Sequence, residues 1–403
     1  MTASHVSPKQ TATVITSASQ ALSVARELAQ AFSAGAAERD RDRILPVSQF
    51  QALFASGLGG ITVPKKFGGA AVSSAVLAEV IAILSEADSA IGQVPQNHFY
   101  ALEVLRVNGS EQQQRRLYAE VLAGVHLGNA LAEFSSPAAH QRSTSIRPES
   151  HGQLRLEGRK FYATGALFAD RIPVSAQDSH GKEFLVFVPR HQAGVSVIDD
   201  WSGFGQRTTG SGSVIFEHVA VDSDDIVPFT SAFERPTTVG PFAQIIHAAI
   251  DQGIARAAFN DMLSFIRSHS RPWPDSGLER ASDDPLTLDR IGQLAARLQA
   301  GDALLSEAGH AVDIAQQSPD DHSVALASVR VAAVRAWTTE VSLEAANLLF
   351  ELSGTRSALR EHNFDRHWRN ARTHTLHDPV RWKYPIIGNY VLNGVLPPRR
   401  GTI

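Results

Sequence analysis

Two histidines three residues apart, His374 and His377, stand in the run Thr373-His374-Thr375-Leu376-His377-Asp378-Pro379-Val380. Imidazole titrates near neutrality, so either ring can give or take a proton. On a helix the i, i+3 spacing puts both rings on one face. Such a pair could also begin a metal site, but no carboxylate triad completes one and no metal is expected. His98 lies in Gln96-Asn97-His98-Phe99-Tyr100, a polar cluster that follows an apolar helical stripe and suits a pocket wall. Thr164 offers a hydroxyl that both donates and accepts. Asn129 suits a strand start or turn. Arg271 and Arg356 are the candidates for a phosphate, which a planar guanidinium grips with two parallel bonds. Arg271 precedes Pro272, which biases it to extended backbone. Each residue alone also has a plainer reading: a solvated charge, a β-branched strand residue, or, for Trp201, core burial.

Composition removes several chemistries. The chain has 403 residues, no cysteine and two methionines. That excludes disulfides, Cys-ligated metals and a thiol nucleophile. The net charge of −4 argues against a nucleic-acid partner held by a basic face. Gly203-x-Gly205-x-x-x-x-Gly210 is not a dinucleotide-binding spacing, and no Walker A pattern occurs. The polar N-terminus lacks a signal-peptide core and no run of ~18 apolar residues occurs, so a cytoplasmic protein without membrane contact is expected. Sulfur depletion has three readings: codon bias, avoidance of oxidisable side chains, or economy under sulfur scarcity.

Periodicity says which elements must carry these residues. Leu22, Ala25, Leu28, Ala29 and Phe32 follow helical spacing, as do Val76, Leu77, Val80, Ile81 and Leu84. Ser110-Glu111-Gln112-Gln113 reads as a capping box. From Asn129 the pattern changes to short β-like runs: Gln153 to Leu156, Phe184 to Val188, Val195 to Ile198 and Val214 to Val221. Helical periods return at Ile245 to Ile266, Leu286 to Ala315 and Val324 to Leu352. The predicted fold is α+β: a helical domain over 21–128, a β domain over 129–235, and a helical domain over 236–403 with an extended Pro- and Arg-rich tail.

That order, with specific motifs, resembles the acyl-CoA dehydrogenase fold over roughly residues 25–393. Pro64 to Gly69 looks like its N-terminal Pro…Phe-Gly-Gly turn. Asn129-Ala130-Leu131-Ala132-Glu133 and Gly158 to Ala166 look like its flavin-contacting strands, and Trp201 to Phe216 resembles its strand-loop-strand. The resemblance implies a central β-barrel and a C-terminal four-helix bundle. The dehydrogenases' Glu-Gly base motif is replaced by the two-histidine run, and their FAD-tail motif by Glu351 to Arg356. Arg369 to Val380, Ser270-Arg271-Pro272-Trp273, Gln96 to Tyr100 and the tail Pro397 to Ile403 instead resemble two-component flavin monooxygenases, the sulfur-acquisition and dibenzothiophene group.

The resemblance implies an enzyme that takes reduced FMN (FMNH2) from a separate NAD(P)H-dependent flavin reductase. It would oxidise a small organosulfur compound such as an alkanesulfinate with molecular oxygen, through a flavin C4a-hydroperoxide, for sulfur assimilation. His98, Thr164 and His377 would be catalytic. Asn129, Thr164, Trp201, Arg271, Arg356 and His374 would bind FMN, Arg271 reaching the FMN of a neighbouring subunit in a homotetramer. The alternatives are an acyl-CoA dehydrogenase with Asp378 as base, and a non-enzymatic flavin-binding protein.

Overall fold

Among the described residues seven helices come first: α1 (Ala18–Ser33), α2 (Ala36–Asp42), α3 (Val47–Ala55), α4 (Ser74–Ala87), α5 (Ser89–Gln93), α6 (Pro95–Asn108) and α7 (Glu111–Leu122). This is a computed structural model, and it describes residues 12–133, 143–149 and 152–403. Local chemistry sets several of the starts. The Ser73 hydroxyl accepts from the Val76 amide at the head of α4, and Ser110 and Gln113 close the predicted capping box at the head of α7.

The strands are β1 (Ser145–Pro148), β2 (Leu154–Lys160), β3 (Arg171–Gln177), β4 (Glu183–Pro189), β5 (Val195–Ile198), β6 (Ser213–Val221) and β7 (Ile226–Pro228). They form one sheet in the order β5-β6-β2-β1-β3-β4-β7, mostly antiparallel, with β5 and β7 at its edges. The sequence gives little sign of β3, because its five central residues are all buried and show no polar alternation. Leu127 and Ala130 bridge to Arg171 and Val174, which pins the segment bearing Asn129 beside this strand.

The remaining helices are α8 (Ser231–Glu234), α9 (Val239–Ser268), α10 (Pro285–Gln317), α11 (Asp321–Ser353), α12 (Asp365–His374) and α13 (Lys383–Asn393). α9 runs through the middle, packed by α11 on one side and by α4 of the N-terminal set on another. Its stretch Val239–Ala255 is buried all round. Polar side chains there must find partners inside the protein. The tail does not stray: Lys383 Nζ donates to the Thr402 carbonyl at 3.0 Å and Gln244 Nε2 to that of Gly401 at 2.8 Å. Among the described residues no helix is long and apolar enough to cross a membrane.

Candidate active site

A cleft of about 1580 Å³ opens where α5, α6, α9, the sheet, the segment after α12 and the tail meet. One wall is largely aromatic, with Phe161, Tyr162, Trp201 and Phe204. The floor beside it carries Thr164. The Thr164 hydroxyl lies 2.7 Å from Ser211 Oγ, which lies 2.6 Å from Thr209 Oγ1, which donates to the Gln206 carbonyl at 2.9 Å. The carbonyl can only accept. Each hydroxyl proton therefore points along the chain toward it, and Thr164 turns an oxygen lone pair to the cleft.

The opposite end is built on imidazoles. His377 follows the last turn of α12 and its ring is exposed to the cleft. Its Nδ1 donates to the His374 carbonyl at 2.9 Å, so Nε2 is the bare nitrogen, 3.4 Å from Gln93 Nε2. Burial among the cleft walls, with the His374 ring and Arg335 nearby, lowers the His377 pKa. His247, from the buried part of α9, stands against it with ring centroids 4.7 Å apart. Lost hydration, then the neighbouring rings and cations, hold His247 well below the ordinary histidine value. Both rings are thus neutral at pH 7 and able to accept a proton.

Behind them lies a buried ionic row. Asp251, Arg335, Asp378 and Lys383 are each at most 4% exposed. Asp251 pairs with Arg335, Arg335 lies 3.6 Å from Asp378, and Asp378 is 2.7 Å from Lys383. Burial alone would raise the Asp251 pKa, but Arg335 and His374 beside it hold it below the usual carboxylate range. Lys383 also joins this row to the tail that lines the cleft.

A third device fixes the Trp201 loop. Gln206 N–H donates to Asn370 Oδ1 at 2.6 Å, and Arg369 Nη1 to the Phe204 carbonyl at 3.1 Å. Trp201 Nε1 closes the loop on the Gln206 carbonyl at 2.9 Å. Gly205 lies so close to α12 that a Cβ there would sit 1.9 Å from the Arg369 carbonyl oxygen. Gly205→Ala is expected to push the aromatic wall off α12, lowering stability by about 2 kcal/mol or more. Thermal melting checks this; an unchanged melting point would contradict it.

The N-terminal part of the chain matches the acyl-CoA dehydrogenase N-terminal domain over residues 17–125, and the C-terminal part matches the acyl-CoA dehydrogenase C-terminal domain over 245–382. A dibenzothiophene monooxygenase of Rhodococcus qingshengii is 32% identical over 98% of this chain and 97% of its own. The chain belongs to the acyl-CoA dehydrogenase family, in its monooxygenase branch. A probable FMNH2-dependent monooxygenase, SfnC of Pseudomonas putida, is 31% identical over 94% of this chain and 96% of its own. Among solved structures, FMN-bound TdsC of Paenibacillus sp. A11-2 superposes with a TM-score of 0.91 at 33% identity, covering 95% of this chain and 100% of that one. The methanesulfinate monooxygenase MsuC of Pseudomonas fluorescens superposes with 0.88 at 28% identity, covering 95% and 99%.

In this monooxygenase the cleft gathers Asn129, Thr164, Trp201 and His377 from the sequence-derived set. Asn129 already spends its side chain on the backbone, donating to the Tyr162 carbonyl and accepting from Leu131 N–H, both at 3.1 Å. Two histidines of that set stand outside the cleft lining. His374 is fully buried and does not line the cleft; Asp251 and His247 take its two ring nitrogens. His98, expected opposite His377, is also fully buried and away from the cleft. Its Nδ1 accepts from Leu127 N–H at 3.1 Å, so Nε2 carries the proton and donates to the Gly59 carbonyl at 2.8 Å. Rings of Phe54 and Phe99 enclose it. It ties the N-terminal helices to the strand-like segment beside Asn129.

Arg271 and Arg356 are exposed and line no part of this chain's cleft. Arg356 Nη1 donates to the His269 carbonyl at 3.3 Å, placing both arginines around the C-terminal end of α9. The residues that sequence reasoning passed over are His247, Asp251, Arg335, Lys383, Thr209 and Ser211. His247 and Asp251 carried a usable signal: two titratable residues four apart in a largely apolar helical run.

Burial gives His98 a pKa of about 4, and His367, beside Arg366, also about 4. The unfolded rings titrate near 6.5. Between these values the unfolded chain binds protons that the folded chain refuses. Stability is therefore full above about pH 6.5 and falls as pH drops toward 4, by on the order of 3 kcal/mol for each ring. Denaturant midpoints at pH 7.5 and 4.5 test this; equal midpoints would contradict it.

Proposed function

We propose that this chain is an FMNH2-dependent monooxygenase that adds one oxygen atom of O2 to a small organosulfur compound, an alkanesulfinate, in sulfur assimilation. The reduced FMN comes from a separate NAD(P)H-dependent flavin reductase. The observation that carries the reading is the state of Asp378. An acyl-CoA dehydrogenase needs a basic carboxylate at this place. Asp378 does line the cleft, but it is only 4% exposed and paired with Lys383 at 2.7 Å and Arg335 at 3.6 Å, and the same cleft presents the imidazoles of His247 and His377.

The cleft fits a flavin on its own features. It has an aromatic wall for a planar ring system, room for a second small molecule, and a hydroxyl that presents a lone pair. Reduced FMN, when bound, supplies the electrons that activate oxygen. Phe161, Tyr162 and Trp201 would pack against the flavin and exclude water from it. Thr164, oriented by Ser211 and Thr209, would offer its lone pair to a donor on the flavin. His377 takes or returns a proton at Nε2, with Gln93 fixing its ring. Arg271 would serve the phosphate of FMN bound to another copy in a homotetramer, and Arg356 is the second candidate for the FMN phosphate. The FMN-bound relative and the methanesulfinate-oxidising relative support cofactor and substrate class.

Anaerobic titration tests the reading. Reduced FMN should bind more tightly than FAD, and acyl-CoA should leave bound oxidised flavin unreduced. Stoichiometric bleaching by acyl-CoA would overturn the proposal in favour of a dehydrogenase.

A further inference from the structure

His247 belongs to none of the motifs that mark this branch, yet it presents an edge to the cleft from the most buried stretch of α9. Its ring is one end of a line of three groups. Asp251 Oδ1 lies 2.5 Å from His374 Nδ1, and His374 Nε2 lies 3.0 Å from His247 Nδ1. Hydrogen-bond logic fixes the protons along this line. Asp251 also receives the Arg335 guanidinium and the Thr339 hydroxyl, so it is an ionised acceptor and His374 carries its proton on Nδ1. His374 Nε2 is then bare, unless the ring is a cation.

Charge balance decides that point. Asp251 and Asp378 are answered by Arg335 and Lys383, all buried. Neutral His374 must therefore accept from His247, whose proton sits on Nδ1. The His247 Nε2 atom is left with its lone pair, and among the described residues no partner takes it.

We infer that Asp251, His374 and His247 form a tautomer relay that makes His247 Nε2 a fixed proton acceptor on the cleft wall, a second base separate from His377. The inference deepens the proposed function and rests on it for the ligand: an N–H or O–H group of the reduced flavin or of its oxygen product. In the net reaction FMNH2, O2 and RSO2⁻ give FMN, H2O and RSO3⁻, so both flavin hydrogens end in water. His247 Nε2 holds one as a proton on the way, and His374 and Asp251 stabilise the imidazolium that forms. The three rings bring ligand nitrogens within 4.8 Å of one another, so a cation site is the competing outcome. The relay already uses both nitrogens of His374.

The test is 15N NMR of histidine-labelled, flavin-free protein, with His247 assigned by loss of its signals in His247→Gln. A protonated Nδ1 and a bare Nε2 are expected for His247. Asp251→Asn offers an amide N–H to His374 and should turn the tautomers of both rings. If Asp251→Asn does not fold, the wild-type and His247→Gln spectra still decide. His247→Gln should also lower sulfinate oxidation about 10²-fold while flavin affinity changes less than about threefold. A proton on His247 Nε2, or stoichiometric micromolar Zn²⁺ binding that shifts all three rings, overturns the relay. The tautomer readout needs no flavin, so it can fail while the oxygenase reading stands, and the reverse.

Discussion

His377→Ala is expected to keep reduced-FMN binding within a fewfold and to lower organosulfur oxidation by ~10²–10⁴, the usual range for a positioned acid–base group. The ring contributes little to the fold. It is exposed to the cleft, with one bond to the His374 carbonyl and one long contact to Gln93. Removing it leaves the aromatic wall, Thr164 and the loop clamp on α12 in place. What disappears is a neutral imidazole whose bare Nε2 is aimed by Gln93. Oxygen consumption should continue, with hydrogen peroxide replacing oxidised sulfur compound. Parallel assays of oxygen uptake, peroxide and product check this. Product formation within about twofold of wild type would remove His377 from the chemistry.

The second large effect lies where the sequence pointed to catalysis and the fold points elsewhere. His98→Ala is expected to destabilise the protein by about 3–5 kcal/mol, as truncating a buried ring of this size does. The variant opens a cavity between Phe54 and Phe99, and it strips the Leu127 amide and the Gly59 carbonyl of their buried partner. Any activity lost should follow the fraction unfolded. Chemical denaturation, with activity measured at a temperature where the variant is folded, separates the two effects. A stable variant with activity down more than about 100-fold would return His98 to the active site.

How far the sequence could be read depended on the residue. Exposed amphipathic stretches and the Ser110 capping box gave clear helix signals, because one face meets water and the other the core. β3 gave little, since both of its faces are buried. At the site, His377 and Thr164 stand in recognisable runs and line the cleft. His98 stands in an equally suggestive run, but the direction of a side chain on α6 follows from packing that spacing does not encode. Asp378 could be read as a free base because Arg335 is far away in sequence and the turn that brings Lys383 back onto it is not encoded in spacing. The relay remained hidden because His247 and Asp251 stand on α9 and His374 on α12, more than 120 residues further along the chain. The sulfur-poor composition gains one structural detail, since the internal methionine, Met262, is fully buried. Oxidation avoidance and sulfur economy both agree with that.

The most direct test of the central claim follows one oxygen atom. Protein charged anaerobically with FMNH2 is mixed with ¹⁸O2 and methanesulfinate, and the products are analysed by mass spectrometry. The account predicts methanesulfonate carrying one ¹⁸O atom, formed at no more than one per FMNH2 consumed. Unlabelled methanesulfinate recovered in full, with all of the reducing equivalents appearing as hydrogen peroxide, would contradict it.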